Sequence, residues 1–222
     1  MAEKIIRPKF RTIPVAYKVI RDPKLVGLGM WCKFFDEIGL APPTPDQGGS
    51  YGNLCVRHQE NQFFVTLSGH SLRNASNYDQ FALVTGVDLE ERTISAVLPR
   101  KGVEPSSESY LYYMVLDADP EVNAGFHGHC KLMTQYEDIL PTKFNIPVTE
   151  IQREYGTIEL AQDVLKAHGT HNLIQAKGHG IFSFGPNMGA AGRAADIANT
   201  LVRNYHESLA NDSTPSSLLP LM

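Results

Sequence analysis

Two histidines stand two residues apart in Phe126-His127-Gly128-His129. Strand side chains alternate between faces, so residues i and i+2 leave the same face. A strand here sets the two imidazoles side by side, which is the start of a metal site. By itself such a pair is more often incidental than ligating. His179 lies in Gly178-His179-Gly180, where the glycines remove bulk around the ring and let the backbone bend sharply. It follows an apolar run that reads as a strand, and sites on sheet proteins collect at such ends. Its bland reading is a turn histidine without a role. Three neutral imidazoles would leave an open fourth position, the arrangement that catalytic zinc prefers.

Other short stretches offer anion chemistry. Pro105-Ser106-Ser107-Glu108 reads as the opening of a helix, with serine as its N-cap. A helix N-terminus presents unpaired amides and the positive end of the dipole, and therefore attracts phosphate. Glu108 in that first turn reads either as a dipole-friendly surface residue or, if it points at the histidines, as a site carboxylate. Gly52-Asn53 and Ser68-Gly69 are small polar pairs beside strands. Each is either an ordinary turn or an anion cradle built from amides.

The elements that must position these residues follow from periodicity. Leu25, Leu28, Trp31, Phe35 and Ile38 recur at helical spacing, so a helix is predicted from Pro23 to Leu40, with Gly39 as its stop. Pro42–Gly49 is a loop. Strands are predicted after Gly52 and over Gln62–Leu67, with a hairpin from Phe81–Leu89 and Thr93–Leu98. The helix after Ser107 buries Tyr110, Leu111, Met114 and Val115. Asn123–His129 is a strand, Tyr136–Asn145 is irregular, and Thr157–His168 is a helix stopped by Gly169. Asn172–Lys177 is a strand, and Ala190–Leu209 a helix with Ala194, Ile197, Ala198, Leu201 and Tyr205 on one face. Strands interleaved with helices imply a central sheet covered by helices. Residues 1–22 read as an extended arm with one short strand around Arg11–Ile20, residues 23–209 as the domain, and residues 210–222 as a flexible tail.

Composition narrows the function classes. The 222 residues are 42% hydrophobic and 20% charged, enough for one domain with a sizeable core. A net charge of -4 carries no nucleic-acid footprint. No apolar run approaches the ~20 residues that span a bilayer, and Met1–Arg7 hold no signal-peptide core. Cys32, Cys55 and Cys130 are scattered and odd in number, which suits a reducing, cytoplasmic compartment better than a disulfide framework.

Taken in order, these motifs resemble the class II aldolase/adducin family. The matching stretches are Gly52-Asn53 with Val56-Arg57, Thr66-Leu67-Ser68-Gly69, Pro105-Ser106-Ser107-Glu108, and Asp119-Pro120-Glu121-Val122-Asn123-Ala124 leading to His127-Gly128-His129. They continue as Tyr155-Gly156-Thr157, Glu159-Leu160-Ala161 and His179-Gly180. Order and spacing agree from about residue 25 to 209. The resemblance implies an α/β fold, with a central mainly antiparallel sheet flanked by helix layers. It implies Zn2+, or another divalent transition metal, held by His127, His129, His179 and Glu108, with Glu108 also the catalytic acid/base. It implies a phosphate pocket of Asn53, Ser68, Gly69, Ser106 and Ser107. The implied activity is a zinc-dependent aldolase cleaving a ketose 1-phosphate, of the fuculose-1-phosphate kind, into dihydroxyacetone phosphate and an aldehyde through a metal-stabilised enediolate. The implied partner is a small phosphorylated sugar, with neither nucleic acid nor membrane, and the implied assembly a homotetramer with interface active sites.

Glutamate rather than aspartate at position 108 favours an aldolase over a pentulose-phosphate 4-epimerase. A dehydratase or decarboxylase on the same metal site is the other enzyme reading, because fold does not fix function. A non-catalytic adducin-like module fits less well, since such domains lack the full histidine set. The segment between His129 and Tyr155 is shorter than the family's, so no tyrosine is carried over to a neighbouring site; Tyr136 reads as a packing residue. Lys177 adds charge near the site or is solvated. His58, His70, His168, His171 and His206 read as surface or core residues.

Overall fold

The computed structural model describes residues 8–44, 48–169 and 171–212. Its strands are β1 (Arg11–Tyr17), β2 (Gly52–Gln59), β3 (Gln62–Thr66), β4 (Phe81–Asp88), β5 (Thr93–Leu98), β6 (Ala124–Gly128), β7 (Leu173–Ala176) and β8 (Gly180–Gly185). Its helices are α1 (Pro23–Glu37), α2 (Ser109–Ala118), α3 (Lys131–Gln135), α4 (Leu140–Phe144), α5 (Ile158–His168) and α6 (Met188–Asp212). The strands form one sheet in the order β1-β5-β4-β3-β2-β6-β8-β7. Among the strand pairs of the described residues only β1–β5 is parallel, so the sheet is mixed and mainly antiparallel. Within the segment expected as an arm, β1 adds an edge strand to the sheet. No helix among the described residues is long and apolar enough to cross a membrane.

Both faces of the sheet are covered, which explains the near-continuous apolar runs of β2 and β3. Leu54, Val56 and Phe64 face one core, with Leu28 and Phe35 of α1, Met133 of α3, Leu140 of α4 and the alanines of α6. Cys55, Phe63 and Val65 face the other, with Leu111 and Val115 of α2 and Leu160 and Val164 of α5. Each fully buried leucine or phenylalanine stabilises this sandwich by roughly 1.5–3 kcal/mol.

Local signals set the helix ends. Asp22 caps α1 by accepting from Lys24 N at 2.8 Å, and Gly39 beyond its end takes φ 76°. Thr157 caps α5 by accepting from Leu160 N at 3.2 Å, with Gly169 as C-cap. Arg57 holds the far end of α2: its Nη2 donates to Leu116 O at 2.6 Å and to Val122 O at 2.7 Å. A guanidinium on the last carbonyls of a helix complements the dipole there. The Val56-Arg57 motif thus fixes the connection from α2 into β6, the strand that carries His127.

Some expectations need correction. The buried face of α6 is Ala191, Ala195, Ala198 and Val202, whereas Ile197 and Leu201 are exposed. Small residues won the inner face because α6 lies very close to its neighbours: a Cβ on Gly192 would sit 2.3 Å from the Trp31 ring. Met114 of α2 is only partly buried. The stretch expected to be irregular carries the 3-10 turn Glu137–Ile139 and α4. Helix α6 runs on to Asp212, three residues into the expected tail; residues 213–222, with residues 1–7 of the arm and 45–47 of the first loop, lie outside the described residues.

Candidate active site

Strand register brings the chemistry together. His127 sits in the middle of the sheet, opposite Asn53 on β2 and opposite Phe182 on β8. β6 ends at Gly128, so His129 lies just past it, held by its N–H to Leu40 O at 2.7 Å. His179 stands in the tight turn between β7 and β8, where Gly178 takes φ 63°. One candidate ligand atom from each of His127, His129 and His179 falls within 4.8 Å of the others.

The protonation states suit cation binding. His127 Nδ1 lies 2.8 Å from Ile181 O; a carbonyl only accepts, so the proton is on Nδ1 and Nε2 presents a lone pair. That Nε2 is 3.0 Å from Nε2 of His129. His179 Nε2 is buried without a hydrogen-bond partner, an orphan that costs about 1–3 kcal/mol. Burial and the neighbouring rings hold His127 well below the usual imidazole range. Burial pushes His129 down to about 3, helped by His179, and His179 itself to about 4. Three neutral imidazoles sharing a pocket, one with a buried ring nitrogen that has no hydrogen-bond partner, are a donor set that fits a transition metal.

Glu108 faces this cluster. It is 3% exposed, and its Oε1 is 3.7 Å from His179 Nε2. Its Oε2 accepts from the Ser107 hydroxyl. Burial raises its carboxyl to about 7, against the lowering effects of Ser107, the Gly156 amide and Lys9. A carboxyl poised near neutrality can both take and give a proton.

These shifts fix a pH dependence for the metal-free protein. A histidine whose folded pKa is depressed binds fewer protons folded than unfolded. For His179 that window runs from about 4 to 6.5, and for His129 from about 3 to 6.5; stability drops as pH falls through it. Glu108 has the opposite sign: its pKa is raised from 4.5 to about 7, so it costs stability as pH rises between them. Three histidines outweigh one carboxyl. The metal-free protein is expected to melt at a lower temperature at pH 5 than at pH 7, and His179→Ala to reduce that difference.

The anion corner lies in the same pocket. Asn53, Ser68, Gly69, Ser106, Ser107, Glu108 and the three histidines line one cavity of about 160 Å³. Asn53 Oδ1 accepts from Tyr112 OH at 2.6 Å, which leaves its amide N–H groups to offer. Ser106 precedes α2 and is tied down by its N–H to Thr66 O. The helix starts at Ser109, later than expected, and Glu108 rather than a serine is the N-cap residue. Both serines therefore stand ahead of the positive end of α2.

Neither lysine nor arginine is among the described residues lining the cavity. Lys177 is exposed and directs Nζ to Glu150 O at 3.5 Å, so it is the solvated alternative. Tyr136 is a packing residue: its OH meets His206 Nδ1 at 2.7 Å and its ring packs on Tyr205. His70 corrects the reading above, because it lines the cavity; its Nδ1 meets Ser68 O at 2.8 Å and its Nε2 meets Arg100 Nη2 at 2.8 Å. Its place directly after Ser68-Gly69 was the available signal. Tyr51 and Tyr155 also line the cavity, and Tyr51 packs against His129 with ring centroids 5.4 Å apart. Tyr155 lies in the Tyr155-Gly156-Thr157 stretch quoted above, whereas no spacing rule marks Tyr51.

Gly180 is the closest approach in the site. A Cβ there would lie 2.5 Å from Gly128 O and 3.0 Å from His127 Cε1. Gly180→Ala must push β8 away from β6, at a cost of about 1–3 kcal/mol. For a chain of this length that lowers the melting temperature by roughly 2–4 °C per kcal/mol, which calorimetry reads directly.

Known proteins share this family and fold. The family described as Class II Aldolase and Adducin N-terminal domain matches residues 47–206. Methylthioribulose-1-phosphate dehydratases of two Leptospira interrogans strains are 31% identical over 121 residues, which is 50% of this chain and 47% of theirs. The match thus spans about half the length of those curated relatives. An L-fuculose 1-phosphate aldolase structure superposes with TM-score 0.68 at 22% identity, covering 91% of this chain and 92% of that one. The L-fuculose-1-phosphate aldolase of Thermus thermophilus gives TM-score 0.65 at 18% identity, over 88% and 100% of the two chains. At those identities the structures speak to the fold alone.

Proposed function

This chain is a member of the class II aldolase and adducin family, and from that premise we propose that it is a metal-dependent lyase acting on a ketose 1-phosphate. One observation carries the reading: a buried glutamate with a pKa near 7 faces three neutral histidines in a pocket that also holds an uncharged anion corner. His127, His129 and His179, with Glu108 beside them, would hold the ion, Zn2+ in our reading. When bound, such an ion supplies Lewis-acid stabilisation of negative charge on the ketone oxygen.

The remaining work falls to the chain. Asn53, Ser68, Gly69, Ser106 and Ser107 bind the phosphate with hydroxyl and amide donors and the start of α2. That anchors one end of the substrate and converts binding energy into orientation. Glu108 moves the proton at the carbon beside the ketone, within a site whose burial keeps water away from its carboxyl. In cleavage the hydroxyl on the following carbon loses its proton as the carbon–carbon bond breaks, releasing the aldehyde, and Glu108 then delivers a proton to the carbon left beside the ketone, which completes dihydroxyacetone phosphate. The homotetramer with interface sites and the cytoplasmic setting belong to the same proposal.

A second reading is favoured by one observation, the 31% identity to dehydratases of a ketose 1-phosphate. Here Glu108 removes the proton next to the ketone and a hydroxyl leaves from the following carbon, so water is lost and no carbon–carbon bond breaks. Phosphorus NMR of the zinc-loaded protein with a panel of ketose 1-phosphates separates the two. A dihydroxyacetone phosphate signal supports cleavage, and a single dehydrated phosphate ester supports elimination. An unchanged spectrum across the panel, with metal bound, rejects both.

A further inference from the structure

The turn that carries His179 is held from outside by a carboxylate. Gly178 N donates to Glu137 Oε1 at 2.7 Å. The same oxygen accepts from Gln175 Nε2 at 2.9 Å, and Gln175 is fully buried at the end of β7. The neighbouring amides are also committed: Lys177 N donates to Thr149 Oγ1 at 2.9 Å and His179 N to Ala176 O at 3.0 Å. A Cβ on Gly178 would lie 2.6 Å from the Gln152 side chain, and its φ of 63° also favours glycine there. Of these acceptors only Glu137 is charged, and bonds to a charged acceptor are the stronger kind.

Glu137 comes from the 3-10 turn between α3 and α4, an element outside the strands that carry the other histidines. Glu137 is not among the described residues that line the cavity. We infer that Glu137 is a positioning residue: through the Gly178 amide it fixes the turn that aims His179 into the cluster. The inference rests on the metal reading above. Outer-shell partners of metal ligands typically govern affinity by about 10- to 100-fold.

The test is zinc titration of the metal-free full chain by calorimetry, with thermal unfolding of the metal-free proteins alongside. Glu137→Ala is expected to weaken zinc binding by about 10- to 100-fold. Glu137→Gln, whose amide oxygen still accepts from Gly178 but without the charge, is expected to fall between wild type and Glu137→Ala. Glu137→Met keeps the side-chain length without the acceptor and covers the case in which the alanine variant does not fold. Unchanged zinc affinity in Glu137→Ala or Glu137→Met, while His179→Ala loses binding, overturns this inference and leaves the metal reading intact. If the wild type binds no zinc, the metal reading fails and the inference fails with it. A lowered melting temperature with unchanged affinity marks Glu137 as merely structural and also overturns it.

Discussion

Glu108→Gln is expected to lower turnover of a ketose 1-phosphate by about 10²- to 10⁴-fold, the span that general acid–base catalysis contributes. Glutamine keeps the size of the side chain and one acceptor oxygen for Ser107, so the pocket should hold its shape. What it loses is the exchangeable proton of a carboxyl raised to about 7. Burial no longer opposes a charge at that position, so the variant should fold at least as stably as wild type at pH 7 and above. Substrate affinity should change little, because the phosphate donors are untouched. A steady-state comparison of kcat and KM checks this. A loss confined to KM would remove Glu108 from the proton-transfer role.

His179→Ala is the variant with the next largest effect. It removes a donor whose Nε2 has no protein hydrogen bond. Removing that orphan relieves a penalty of about 1–3 kcal/mol, which offsets the packing lost with the ring. The metal-free protein should therefore melt within a few degrees of wild type, while zinc affinity falls by more than the roughly 10- to 100-fold seen for outer-shell changes. His127→Ala makes a useful contrast. It also strips Ile181 O of its buried partner and so destabilises the metal-free protein as well. Melting curves and metal titrations on the two variants separate ligation from folding.

Much of this site was legible in the sequence because its parts are local. His127 and His129 share a face through strand periodicity, and the order Gly52-Asn53, Ser68-Gly69, Ser106-Ser107-Glu108 already grouped the residues that line the cavity. Helix α5 was readable at both ends, since Thr157 and Gly169 are caps with short-range mechanisms. What escaped depends on distant partners. The inner face of α6 was misassigned because hydrophobicity points to Ile197 and Leu201, whereas close packing on Trp31 selects alanine and glycine. The turn and helix within 136–145 were missed because Pro141 and a short polar run give no helical period. Their stability comes from Leu140 and Tyr136 packing into the core. His70 and Tyr51 reach the cavity through loops, and Glu137 reaches the His179 turn across 41 positions in the sequence.

The central claim is that Glu108, beside a metal held by three histidines, moves a proton on the carbon next to a ketone. The most direct test is hydrogen exchange without net reaction: the zinc-loaded protein is incubated with dihydroxyacetone phosphate in deuterium oxide and the hydroxymethyl carbon is followed by proton NMR. The account predicts uptake of one deuterium by the wild type, and none in Glu108→Gln or after chelation of the metal. No exchange by metal-loaded wild type, or equal exchange by Glu108→Gln, would contradict it.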